Sequence, residues 1–165
     1  MKRAHLLSVI AILLAAVAAA GAARAVAQDG TPAVEPVAVE TLARGVPAGT
    51  GGRTLLLQRI VIQPGVEIPS HRHPADLVYV IESGTFSFTV LEGSVELTRR
   101  ETGTTETVAV GTEVVLEAGD AMFEGEGTVH VARNAGTEPV VLLLAGVVDE
   151  AQPFVQPVEP GTPTT

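Results

Sequence analysis

GVEIPSHRHPADLVYVIESG, residues Gly65 to Gly84, is the stretch whose reading decides the fold. Val66 to His73 reads as extended chain, Leu77 to Glu82 as a buried strand and Ser83-Gly84 as a turn. His71 and His73 stand two apart, and in a strand residues i and i+2 point to the same face. Both imidazoles therefore enter one side of a sheet. Two adjacent inward histidines in an apolar setting need a reason, and a shared divalent cation is one, because neutral imidazole is a common metal ligand. A second stretch, GDAMFEGEGTVHVARN from Gly119 to Asn134, contributes His130 from a separate predicted strand. These are three of the four histidines in the chain; the fourth is His5. The competing reading places SHRHP in an exposed loop at a sheet edge.

On either side of these stretches lie short apolar runs. Thr54 to Gln63, Thr85 to Leu91, Val95 to Arg99, Glu106 to Val110, Thr112 to Glu117, Val129 to Arg133 and Val140 to Val148 read as strands. Pro64-Gly65, Glu92-Gly93 and Ala118-Gly119-Asp120 read as turns, and ETGTT at 101–105 as the tip of a hairpin. About nine short strands at this spacing, with no helical period after residue 27, predict an all-β antiparallel sandwich or barrel.

Taken together, the two histidine-bearing stretches resemble the two motifs of the cupin family. The first motif is matched by Gly65, five residues, His71-x-His73 and Gly84; the second by Gly119, five residues, Gly125-x-Gly127, two residues, His130, three residues and Asn134. There are two departures. Gly125 stands where the family has proline, and Leu77 stands where it has a carboxylate ligand. The resemblance covers about residues 53–148, the expected extent of the barrel, and implies a double-stranded β-helix, or jelly roll.

It also implies a divalent metal ion held by His71, His73 and His130, with Fe, Zn, Mn, Ni and Cu not distinguished. Asp76 is a candidate additional ligand: strand alternation points it to the opposite face, and a bulge after Pro74 would be needed to re-aim it. A metal-free descendant of the fold is the alternative. Three neutral ligands would leave a divalent ion with its full charge and open positions. Some cupin-like dioxygenases are understood to use such a triad. Homodimerisation through an outer sheet edge, here near Val37 to Leu42, is a further implication of the family likeness.

Around the site, Glu67, Tyr79, Phe86, Phe88 and Met122 are the candidate pocket residues. The aromatics, Met122 and Phe123 read equally as core. Glu67 shares parity with His71 but also reads as a solvated edge residue. EGEG at 124–127 reads as a turn, or as an acidic lure for cations. Gly65, Gly84, Gly119, Gly127 and Asn134 read as turn and packing residues.

The ends of the chain differ from its middle. Lys2 and Arg3, the uncharged run from Leu6 to Ala20 and the Ala25-Val26-Ala27 site make residues 1–27 a secretory signal peptide. An uncleaved anchor is the other reading, since Leu6 to Ala23 holds 18 residues. Residues 28–52 read as a flexible segment with one edge strand near Val37 to Leu42, and residues 149–165, rich in proline, as a disordered tail. Loss of Lys2, Arg3 and Arg24 from ten basic residues leaves seven against 19 acidic ones, a formal charge of −12.

So acidic a chain does not bind nucleic acid through phosphates. The absence of cysteine excludes disulfides, a lipid anchor on cysteine and cysteine nucleophiles. No phosphate loop and no G-x-S-x-G appears. The expectation is a secreted or extracytoplasmic module, with no membrane contact after cleavage, that binds or senses a small molecule, its metal either structural or holding the ligand. The alternative is a metal-dependent dioxygenase or isomerase.

Overall fold

The structure is a computed structural model, and it describes residues 34–159. The signal segment expected over 1–27 lies outside the described residues, as do 28–33 and the last six positions of the expected tail. Twelve strands are formed among the described residues: β1 Val37–Gly45, β2 Thr54–Ile62, β3 Glu67–Arg72, β4 Leu77–Ser83, β5 Phe86–Glu92, β6 Val95–Thr98, β7 Thr105–Val108, β8 Glu113–Leu116, β9 Ala121–Glu124, β10 Val129–Asn134, β11 Val140–Val148 and β12 Gln156–Pro157. They make two antiparallel sheets, ordered β1-β2-β11-β4-β9-β6-β7 and β12-β3-β10-β5-β8. This is the all-β jelly roll that the sequence implied.

Alternation along the strands builds the interior. In β11, between β2 and β4 in the larger sheet, Val140, Leu142, Leu144 and Val148 are buried and their neighbours half-buried. In β4, Leu77, Tyr79 and Ile81 are buried while Val78 and Val80 face outward. The smaller sheet answers with Phe86, Phe88 and Val90 from β5 and with His130 and Ala132 from β10. Two inward apolar faces exclude water from each other, and burial of side chains of this size contributes roughly 1.5–3 kcal/mol each.

Two motif positions act structurally. Gly84 has φ +82°, and a Cβ there would lie 2.7 Å from the Pro139 carbonyl oxygen, so only glycine fits. The amide of buried Asn134 donates to the carbonyls of Ile62 and Glu138 at 2.9 and 2.8 Å, and its side-chain oxygen accepts from Gly136 N at 2.9 Å. It thereby ties the end of β10 to β2.

The structure departs from the sequence reading in three places. First, the edge strand expected near Val37 to Leu42 is present but longer: β1 pairs with β2 from Val37↔Ile62 to Gly45↔Leu55, so the barrel sheet begins well before Arg53, and contacts join Glu35 onward into one unit. Second, Ala121 to Glu124, where the sequence reading placed no strand, forms β9 between β4 and β6, so Glu124 is in a strand and not in the turn expected over 124–127. Third, the described part of the expected disordered tail is laid against β3: Gln156 and Pro157 pair with Arg72 and His71, and Val158 N donates to the Ser70 carbonyl at 3.0 Å. Prolines restrict φ and remove donors, but an edge strand tolerates both losses.

Candidate metal centre

His71 and His73 come from β3 and the residue just beyond it, and His130 from β10, where His130 pairs directly with His71. All three are buried, with 2–5% of their surface exposed. Their ring centroids lie 4.2–5.4 Å apart. Each ring offers one nitrogen such that the three nitrogens fall within 4.8 Å of one another. A shared ion about 2.1 Å from each nitrogen would set tetrahedral nitrogens about 3.4 Å apart. Small side-chain rotations span that difference.

The hydrogen bonds decide which nitrogen is free. His71 Nδ1 lies 2.7 Å from the Pro69 carbonyl oxygen, and His73 Nδ1 2.8 Å from that of Phe154. A carbonyl only accepts, so both Nδ1 atoms carry the proton and both Nε2 atoms keep a lone pair. His130 Nδ1 has a weaker carbonyl contact, 3.5 Å to Thr128. Burial keeps these rings neutral. It lowers the pKa of His71, takes His73 to about 4, and takes His130, with the added repulsion of the other two histidines, to about 2. Three neutral, buried imidazoles with converging nitrogens fit a divalent ion; the donor set does not select among metals.

A bulge explains how β3 presents both histidines. Between His130↔His71 and Ala132↔Ile68 the register slips by one residue, so Pro69-Ser70 carries an extra residue relative to β10. Proline has no N–H to lose there. The bulge reverses parity: Ile68 and His71 both line the cavity, and Glu67 is exposed with Arg133 as its ladder partner. Glu67 is therefore not a pocket residue. Strand parity carries across a segment only where the strand is unbroken.

The other candidates separate in the same way. Tyr79, Phe86 and Phe88 line the cavity, and Phe88 stacks on His130 with centroids 4.4 Å apart. Met122 is buried in the core, outside the cavity lining, and Phe123 is 42% exposed on the outer face. Asp76 is exposed, and its Oδ1 accepts from Glu126 N at 2.8 Å, so no bulge turns it inward. It is a loop cap, not a neighbour of the histidines. At the carboxylate position of the first motif, Leu77 is fully buried, with Gly146 of β11 on one side, where a Cβ would come 2.4 Å from the Leu77 Cδ2.

Two participants were not identified from the sequence. Phe154 gives His73 a carbonyl acceptor and a ring at 4.6 Å. Glu124, from β9, has no exposed surface. Its Oε2 accepts from the Tyr79 hydroxyl at 2.6 Å, and its Oε1 lies 3.3 Å from His130 Nδ1 with no well-aligned hydrogen-bond donor. Burial raises its pKa to about 8, against the pull of the Tyr79 hydrogen bond, and raises that of Tyr79 as well. The alternation Met122-in, Phe123-out, Glu124-in was the available signal for both β9 and this carboxylate.

The family model for the cupin domain matches residues 58–146, more than half of the chain and both histidine-bearing strands. This chain belongs to the cupin family. No curated protein matches the cupin by sequence. Among solved structures it is similar to an uncharacterised conserved protein with a double-stranded β-helix domain from Klebsiella pneumoniae, at 20% identity and TM-score 0.51, covering 73% of this chain and 84% of that one. It is also similar to a structure of DMSP lyases, at 18% identity and TM-score 0.52, covering 74% of this chain and 53% of that one. At these identities the likeness concerns the fold, and the cupin spans about half the length of the lyase chain.

A cavity of about 580 Å³ opens in front of the histidines. Its walls are apolar, with Leu56, Ile60, Phe86, Leu142, Leu144 and Phe154 among them. Gln58, Tyr79 and the histidines supply polar groups, and the acids Asp149 and Glu150 also line it. No arginine or lysine among the described residues does.

Proposed function

We propose that this cupin is exported, holds one divalent metal ion through His71, His73 and His130, and uses it to bind a small molecule in the apolar cavity. The observation that carries the reading is the convergence of three buried, neutral imidazoles, two of them with Nδ1 committed to a carbonyl oxygen. A bound divalent ion would offer positive charge and open coordination positions to an oxygen-bearing ligand. The protein supplies the rest of the selection. The walls favour an apolar body, and the absence of a lining arginine or lysine leaves a second anionic group without a partner. The ligand class is thus a molecule with one oxygen-chelating end and an apolar remainder, rather than a small dianion.

Metal content and isothermal titration test this. The purified protein should carry close to one equivalent of metal, and after chelation should take up Zn(II) or Co(II) with the same stoichiometry. Unchanged metal content in His71→Ala, His73→Ala and His130→Ala would end the reading. Export is supported by Lys2, Arg3, the Leu6 to Ala20 run and Ala25-Val26-Ala27. The mass of the protein recovered outside the cytoplasm should match a chain beginning at Gln28.

One observation favours the second reading, a metal-dependent dioxygenase or isomerase. Tyr79 lines the cavity and is hydrogen-bonded to the buried Glu124, a proton-bearing pair beside the histidines. Bound iron with oxygen uptake on diketones, flavonols or thiols would select the oxygenase; zinc or nickel without turnover would select the binding module.

A further inference from the structure

Three rings converge, but only two are held by short bonds to the backbone. Nδ1 of His71 and His73 meets a carbonyl oxygen at 2.7 and 2.8 Å, whereas the Thr128 carbonyl is 3.5 Å from His130 Nδ1. At that length it constrains the ring poorly. Glu124 Oε1 is nearer, at 3.3 Å, and it is a buried acceptor without another partner. Nothing in an apolar core tolerates such an atom unless a donor serves it. The other oxygen of the same carboxyl is anchored by the Tyr79 hydroxyl at 2.6 Å, which fixes the group's rotation.

The placement is specific. Glu124 of β9 pairs with Leu77 of β4, the position where the cupin pattern carries its carboxylate. The carboxyl group absent from β4 is thus present one strand over, 3.3 Å from His130 Nδ1, and Glu124 is not among the three residues within ligand reach of one another.

We propose that Glu124 is the positioning residue of the third histidine: Oε1 takes the hydrogen bond of His130 Nδ1–H, Tyr79 holds the carboxyl in place, and His130 is thereby fixed as the tautomer that offers Nε2 to the site. This rests on the metal reading above for its purpose, but the contact itself does not. With the carboxyl's proton held on the Tyr79 side, Oε1 stays free to accept, and an outer acceptor bonded to a ligating imidazole orients the ring. The arrangement assigns β9 a part in the site and gives the buried Tyr79–Glu124 pair a role in either functional reading.

The test is made on the full chain with two readouts. Long-range proton–nitrogen correlation spectra of the metal-free protein report the tautomer of each histidine, and titration with Co(II) or Zn(II) reports affinity. Glu124→Leu places an apolar side chain of similar size beside Leu77. It is expected to turn His130 from the Nδ1–H form to a mixture and to weaken metal binding by roughly 10- to 100-fold. Glu124→Gln retains a carbonyl acceptor and should hold the tautomer and stay within a few-fold of wild type.

Unchanged tautomer and affinity in Glu124→Leu would overturn the proposal, leaving Thr128 as the sufficient partner. So would a Co(II) spectrum in Glu124→Gln that shows loss of an oxygen donor, because Glu124 would then be a ligand. Should Glu124→Leu not fold, Tyr79→Phe carries the test: a moved His130 ring signal and several-fold weaker binding are expected, and no change in either overturns the proposal. A wild-type protein that binds neither metal would sink the metal reading, while the tautomer measurement would still decide the contact.

Discussion

The two halves of the histidine cluster are held by different means. On the β3 side, His71 and His73 lean on backbone carbonyls, one from the Pro69 bulge and one from the returning C-terminal segment at Phe154. On the β10 side, His130 is packed against Phe88 and faces the side chain of Glu124. Backbone acceptors survive almost any substitution that keeps the fold. A side-chain acceptor is lost with one residue. The β3 half is therefore a property of chain geometry, and the β10 half a property of local sequence.

The sharpest way to break the comparison is to remove one ring at a time. His71→Ala, His73→Ala and His130→Ala should each lower metal affinity by more than the roughly 100-fold that loss of an outer partner costs. All three should do so by similar factors, whatever holds the ring. Titration calorimetry with Co(II) or Zn(II) reads this. A cluster in which one alanine variant binds as the wild type would reduce the site to two ligands.

The three histidines and the Glu124 carboxyl titrate in opposite senses in the metal-free protein. Folding lowers the histidine pKa values from 6.5, to about 4 for His73 and about 2 for His130, so their contribution is present above pH 6.5 and is lost as the pH falls. Folding raises Glu124 from 4.5 to about 8, so its contribution is present below 4.5 and is lost as the pH rises through 8. Between 4.5 and 6.5 His73 and His130 outweigh the one carboxyl, a net loss of about 1 kcal/mol per pH unit on acidification, and His71 acts in the same direction. Between 6.5 and 8 the carboxyl acts alone. The chelated protein should therefore be most stable near pH 6.5. Glu124→Leu should flatten the alkaline limb, and His73→Ala should make the acid limb shallower. Thermal melts across pH 5–8 decide it; stability that still climbs from 6.5 to 8 would mean Glu124 is already ionised.

What the sequence made legible follows from what local rules can carry. Alternation within β4 and β11 is unbroken, so their inward residues could be named in advance. The i, i+2 spacing of His71 and His73 survives because both lie beyond the bulge. Glu67 lies before it, and one extra residue at Pro69-Ser70 reversed its face. No composition rule locates such an insertion. Glu124 was hidden for another reason. Its neighbours Gly125 and Gly127 carry a turn signal that masks a strand of four residues. Phe154 was hidden because proline-rich chain reads as unstructured, although an edge of β3 was open to receive it.

That last contact gives a graded test of the β3 half. Ending the chain at Gln152 removes the Phe154 carbonyl, its ring and β12 together. The loss should cost roughly 10- to 100-fold in metal affinity, acting through His73. Phe154→Ala keeps the carbonyl and removes only the ring, and should cost less. Equal losses in the two variants would show that the ring rather than the backbone acceptor holds His73.

The smallest effects are expected from the two acids that the sequence set beside the histidines. Glu67 is turned outward by the bulge, and Asp76 spends its carboxylate on Glu126 N at 2.8 Å. Glu67→Gln and Asp76→Ala should therefore leave metal affinity within about twofold, the range left to an acid that is not an outer partner of a ligand. Stability should separate them. Glu67→Gln removes an exposed charge and should cost about 0.5 kcal/mol or less. Asp76→Ala removes the acceptor that fastens the 125–127 turn ahead of β10, and should cost about 1 kcal/mol. If Asp76→Ala instead lowered metal affinity tenfold at unchanged stability, the aspartate would have to reach the ion in solution. The contrast between a backbone-held pair and a carboxylate-held third ring would then give way to a site closed by an acid from β4's own approach.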